Sequence, residues 1–144
     1  MEKIIQEKIS ADHLLYVSLK YTKTCDVILN LIERWRSMIE LCIEAMLLKA
    51  KKKGMLKKVP SAPKIRVEAM KEVFKKEEIV MKTIETYEFF KRVDSAEKVR
   101  ESEFRKNVTL KIMDRGNFVD INLLKLKEYS ELLEKFISYV RHFL

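Results

Sequence analysis

Two glycines and two prolines among 144 residues leave this chain few places to turn sharply. Sandwiches and barrels need many tight turns, so both are disfavoured. Apolar residues make up 47% of the chain, too many for a disordered tail, and the frequent Leu, Ile, Lys, Glu and Met are good helix formers. The expected fold is an all-α helical bundle of four to five helices in a single domain over 1–144, with a small β-hairpin in the C-terminal half.

Hydrophobic periodicity places the elements. Ser10, followed by Ala11-Asp12-His13-Leu14, reads as the cap of a first helix, with Met1–Ile9 as a short helical lead-in. Thr22 to Thr24 reads as a break. A long helix is expected from about Cys25 to Lys53, with Ile28, Leu31, Ile32, Trp35, Met38, Ile39, Cys42, Ala45 and Met46 at steps of three and four. Val27, Leu41, Leu47 and Leu48 widen this stripe, so the helix is either central in a bundle or shared with a second copy. The latter motivates a homodimer. Gly54 is a fitting stop, and Pro60 and Pro63 forbid a continuous helix through the basic linker at about 51–63.

A third helical region spans about Lys64 to Val93, with a kink at the KKEE of 75–78. A short helix from about Ser95 to Lys106 is expected after the Asp94–Glu97 capping sequence. The alternation of Val108, Leu110 and Ile112, then Asp114-Arg115-Gly116-Asn117 and Phe118, Val119 and Ile121, marks a hairpin. Asn122 caps a closing helix whose stripe runs through Leu126, Tyr129, Leu133, Phe136, Val140 and Phe143.

The net charge is +8, and its location matters more than its size. Lys49 to Lys76 holds eleven basic residues against Glu68 and Glu72 only, a local +9, while the remainder is −1. Lys49, Lys51, Lys52, Lys53, Lys57 and Lys58 are therefore the candidate nucleic-acid-binding residues, because ammonium groups neutralise phosphates without reading sequence. The competing reading is a solvated helix end and linker. Aromatics are absent from 49–66, which argues against base stacking there.

Catalytic signatures are missing. Cys25 and Cys42 read as buried thiols, and with His13 and His142 they show no metal-ligand spacing. Glu40 and Glu44 share a helix face but have no His partner for a di-metal site. No cofactor is implied. A second polar group, Arg100, Arg105, Lys106 and Asn107, reads as a salt-bridged surface with Glu97, Glu101 and Glu103. Arg141 and His142 suit the negative end of a helix dipole. The N-terminus lacks the apolar run of a signal peptide, and no apolar stretch is long enough to span a membrane. These features point to a cytoplasmic protein without membrane partners.

ADHLLYVSLKY at 11–21, DVILNLIERWRSMIELCIEAMLLKAKKKG at 26–54 and EFRKNVTLKIMDRGNFVDINLLKLKEYSELLEKFISYV at 103–140 together resemble the small archaeal HEPN-like proteins. The resemblance implies a helical scaffold that often dimerises and that serves in ribonucleases, toxins or partners of nucleotidyltransferases. Catalytic members carry Arg, four to six residues, then His. Here Lys135, Phe136 and Ile137 stand seven, six and five residues before His142, and nothing basic of that kind precedes His13. The expectation is a non-catalytic binding module for RNA or a partner protein. A divergent ribonuclease would have to draw on Arg100, Arg105 and His142, and a structural oligomeric subunit would use neither set.

Overall fold

The computed structural model describes residues 1–144. Its elements are α1 (Glu2–His13), a π-turn (Leu14–Ser18), α2 (Leu19–Tyr21), α3 (Cys25–Lys52), α4 (Pro63–Val73), α5 (Glu78–Val93), β1 (Lys98–Glu101), β2 (Thr109–Asp114), β3 (Asn117–Ile121) and α6 (Leu123–Phe143). Helices hold 67% of the residues, and the strands form one small antiparallel sheet.

The long α3 is the axis of the molecule. Its 28 residues extend about 40 Å, and α1, α4, α5, α6 and β2 all rest against it. Ile28, Leu31, Ile39, Cys42, Met46 and Leu47 are fully or almost fully buried, and Val27 and Leu41 pack half-buried on the same core. The broad stripe is therefore satisfied within one chain. Only Leu48, 49% exposed, is left over. Thr24 caps the helix start by accepting a long hydrogen bond from the Val27 N–H at 3.4 Å.

The N-terminal helix differs from the sequence expectation. Ser10 is no cap: α1 begins at Glu2 and runs straight through it. Ile4 and Ala11 are buried, and Glu7–Arg34 and Lys8–Glu134 ion pairs tie the lead-in to α3 and α6. Tertiary packing thus secures a segment that the local signals leave uncapped. The buried positions Ala11, Leu15 and Leu19 are four apart. In an ideal α-helix that repeat drifts off the face by about 40° per step. The π-turn, in which the Leu19 N–H donates to the Leu14 carbonyl, takes up the drift.

The third helical region is two helices rather than one kinked helix. α4 ends at Phe74, a turn bonded from Glu77 N–H to Phe74 C=O (2.9 Å) reverses the chain, and α5 runs back. Lys75 to Glu78 are all exposed, so the turn costs no burial, while Phe74 plugs the gap against Tyr139 and Phe143 of α6. Lower down, Trp35, Phe90 and Tyr129 join α3, α5 and α6 through one stacked and two edge-on contacts.

The largest correction concerns 95–106. There is no helix; Lys98–Glu101 is a strand, and the hairpin becomes a sheet of order β1-β2-β3. Val99 and Phe104 are the only large apolar residues from Lys98 to Asn107, too few for a helical stripe. Pairing with β2, in the register Lys98–Ile112 to Glu101–Thr109, satisfies the backbone instead. The β2–β3 turn has positive φ at Arg115 (48°) and Gly116 (89°), the geometry that fits the twist of a two-residue hairpin. Leu110, Ile112 and Ile121 face the helices and belong to the same core as α3. Asn122 caps α6, its side chain accepting from the Lys125 N–H at 2.9 Å. No helix is long and apolar enough to cross a membrane.

Candidate nucleic-acid interface

The lysine-rich end of α3 is a built feature. Met46, Leu47 and Ala50 are buried, which turns Lys51, Lys52 and Lys53 outward and leaves Lys49 half-buried. Gly54, at φ 77°, closes the helix: its N–H donates to Lys51 C=O and the Met55 N–H to Ala50 C=O, at 3.0 and 2.9 Å. This pair of bonds is the Schellman arrangement, which needs a left-handed residue where Gly54 stands. Beyond it, Leu56 and Val59 settle against the core, so Lys57 and Lys58 face solvent. Arg66 of α4 donates to Pro60 C=O at 2.7 Å and pins the far end of the linker.

Lys53 is set apart from its neighbours. Its ammonium donates to the Phe143 carbonyl (3.3 Å) and lies 4.3 Å from the centre of the Phe143 ring, joining the end of α3 to the end of α6. Lys49, Lys51, Lys52, Lys57 and Lys58 make no ion pair. The later basic residues are partly neutralised. Lys71 meets Glu88 at 3.0 Å, which raises its pKa, and Lys75 meets Glu72 at 3.5 Å. The unpaired charge is thus narrower than the +9 segment: it comprises the candidate lysines, Lys53 being bound to a carbonyl, together with Lys64 and Lys76, which also meet no carboxylate.

The three candidate catalytic side chains do not meet. Arg100 lies on β1, paired with Asp26 at 2.8 Å and Glu103 at 3.5 Å, and Asp26 holds its pKa above the usual value. Arg105 lies in the β1–β2 loop. His142 is in the last turn of α6, its Nδ1 at 2.8 Å from the Ser138 carbonyl. The 21 residues of α6, about 30 Å, separate it from the sheet. Of the salt bridges expected there with Glu97, Glu101 and Glu103, only Arg100–Glu103 forms; Arg100 also meets Asp26, Glu101 turns to Lys111, and Glu97, Arg105 and Lys106 make no ion pair.

Both cysteines are buried, and burial pushes the Cys42 thiol up to about 12. Glu40 accepts from the Tyr87 hydroxyl at 2.9 Å, and burial, reinforced by this bond, raises the tyrosine pKa. Two features escaped sequence reasoning. One is an open cleft of about 670 Å³ between α1 and α3, walled by Ser10, His13, Asn30, Glu33, Arg34 and Ser37. The only signal for it is that these residues are polar on facing helices. The other is Phe104, which stands in solvent at the tip of the β1–β2 loop. An isolated aromatic in the charged run ESEFRKN was the available clue.

No protein-family model matches the chain, and comparison with curated proteins and with solved structures finds no match.

Proposed function

We propose that the chain is a non-catalytic, HEPN-like binding module whose lysine pole takes the phosphate backbone of RNA. The observation that carries this reading is the concentration of unpaired lysines on a capped helix end and a linker anchored at both sides. Like charges held together without partners repel one another and raise the local concentration of anions, so a ligand of opposite sign is favoured there. Lysine acts as a point charge, so binding is salt-dependent and indifferent to sequence.

The test changes Lys51, Lys52, Lys57 and Lys58 together to Gln, leaving Lys53 because it ties α3 to α6. Fluorescence anisotropy with a labelled RNA at several salt concentrations should give a plot of log affinity against log salt that is flatter than wild type. The change should approach about 0.7 per lost contact on single strands. Equal slopes and equal affinities for the two proteins would remove the proposal. Full-length recovery of the RNA after incubation separates it from a divergent ribonuclease. The homodimer belongs to the same proposal and now rests on the resemblance alone, since α3 satisfies its apolar width internally. Sedimentation showing only 17.2 kDa particles would delete it.

A further inference from the structure

We propose that the β1–β2 loop is a second nucleic-acid contact, which stacks an unpaired base of a single strand on Phe104. The inference rests on the reading of the chain as a nucleic-acid-binding module and adds the state of the nucleic acid it takes.

Phe104 is 74% exposed, and its backbone is left-handed at φ 66°, as is that of Ser102 at φ 55°. A bulky residue in that region is a genuine outlier, and strain of this kind persists only where the surroundings impose it. They do so here. The Phe104 N–H donates to the Lys23 carbonyl at 2.6 Å, and the Glu103 carboxylate accepts from the Cys25 N–H, the first residue of α3, at 3.0 Å. Both bonds cross some eighty residues of sequence, so the loop is clamped to the start of the long helix. The clamp fixes the loop backbone, and the Phe104 ring stands in solvent.

The clamp also chooses the neighbours. It brings the loop to the segment carrying Lys20, Tyr21 and Lys23. Tyr21 is 77% exposed, with the Lys20 ammonium 5.8 Å from its ring centre. Arg105 and Lys106 follow Phe104 directly, and neither has a carboxylate partner. The acids at this place are spent internally: Asp26 on Arg100, and Glu103 on Arg100 and the α3 backbone. Two exposed aromatic rings among unpaired cations are the parts that single-strand binding requires, because each base has a π-face and each nucleotide a phosphate. A duplex hides its base faces in the stack and offers the ring nothing.

The test introduces a reporter at the site. Trp35 is 3% exposed and buried among Phe90 and Tyr129, so ligand in solution does not reach it, and the emission that Phe104→Trp adds over wild type reports the loop. Titration with a single-stranded oligonucleotide should quench this emission, and a duplex of equal length at equal salt should not. Phe104→Ala should lose about tenfold in single-strand affinity, with duplex affinity unchanged. Circular dichroism should confirm that both variants keep the wild-type helix content. Binding by anisotropy without quenching, or a Phe104→Ala variant of wild-type affinity, overturns the loop contact and leaves the lysine pole standing. Quenching together with an unaltered salt slope in the lysine variant overturns the lysine pole and leaves the loop. Absence of any binding at low salt overturns both.

Discussion

The two ends of α3 handle charge in opposite ways. Where the helix begins, the sheet rests on it and its charges are paired: Arg92 with Asp114, Arg100 with Asp26 and Glu103, Lys111 with Glu101 and Asp120. Where the helix ends, five lysines stand without one carboxylate. The same helix propensity and the same apolar stripe serve both ends, so folding alone does not explain the asymmetry. Pairing at the sheet end offsets the repulsion of charges brought together by strand register. At the lysine end the repulsion is left in place. The first end is neutralised within the fold and the second is not, which is the difference on which the proposed phosphate contact rests, and the loop tip at Phe104 is the one place on the paired end that repeats the open pattern.

The largest expected effect tests whether the sheet is structural. Ile112 is fully buried in the core shared with the helices. Ile112→Ala should cost about 2–5 kcal/mol, as expected for removing a buried branched side chain. Denaturant curves followed by far-ultraviolet circular dichroism and by Trp35 emission should stay superimposed, because strand and helices share one core. Separate transitions would make the sheet an appendage and weaken the comparison.

A smaller effect concerns the best ion pair of the sheet. Arg92 donates two hydrogen bonds to Asp114, at 2.7 and 3.2 Å, and this holds the Asp114 carboxyl below its ordinary value of 3.8. A depressed carboxyl stabilises the fold fully above its unfolded value and loses that contribution as pH falls through the folded one. Asp114→Asn should therefore cost about 1 kcal/mol at neutral pH, since Arg92 is partly solvated. Urea midpoints for the two proteins should converge as the medium is acidified below about pH 4. A constant gap down to low acid would show that the pair contributes by shape and not by charge.

How far these features were legible depends on what encodes them. The α3 stripe, the Gly54 stop, the Thr22–Thr24 break and the Asn122 cap are local patterns, and the structure contains each. The strand at Lys98–Glu101 is encoded by its partner β2, not by its own side chains, so a local capping pattern at Asp94–Glu97 was misleading. Ser10 failed for a related reason, since α1 is held by contacts to α3 and α6 that lie far away in sequence. At the candidate site the six lysines were visible as a charge run. Their lack of partners was not, because ion pairs such as Lys71–Glu88 form between helices. The exposure of Phe104 follows from the β1–β2 loop, which forms in place of the helix that the local pattern predicts, so the sequence signals it only as a lone aromatic in a charged run.

The end of α3 can be sharpened by its glycine. An alanine Cβ at position 54 would meet nothing within 4 Å, so any cost of Gly54→Ala is conformational and comes from φ 77°. The expected loss is about 1 kcal/mol, read from the urea midpoint. Since Met55 N–H and Gly54 N–H close the helix end, the variant should also loosen the presentation of Lys51 to Lys58. Amide exchange should quicken at position 54 and at Met55, whose N–H groups close the helix end, and remain unchanged in the sheet. Uniform quickening would mean that the helix end is not an independent unit.

The smallest expected change is in the stability of the lysine variant itself, and its sign is informative. Lys51, Lys52, Lys57 and Lys58 touch no carboxylate, so changing them to Gln breaks no attraction. It removes mutual repulsion, which is a cost to the folded state. The variant should melt at the wild-type temperature or about a degree or two above it in dilute buffer. Added salt shortens the Debye length to about 3 Å at 1 M, and the repulsion between exposed ammonium groups is then screened. Wild type should therefore gain stability with neutral salt until the two melting curves coincide, with the variant itself responding little. The paired sheet predicts the reverse for Asp114→Asn, whose deficit should shrink because salt weakens the attraction in wild type. If the lysine variant instead melts well below wild type at every salt concentration, those side chains hold the linker in place. They would then belong with the paired charges at the other end of the helix, and the asymmetry that points to an anionic ligand would vanish.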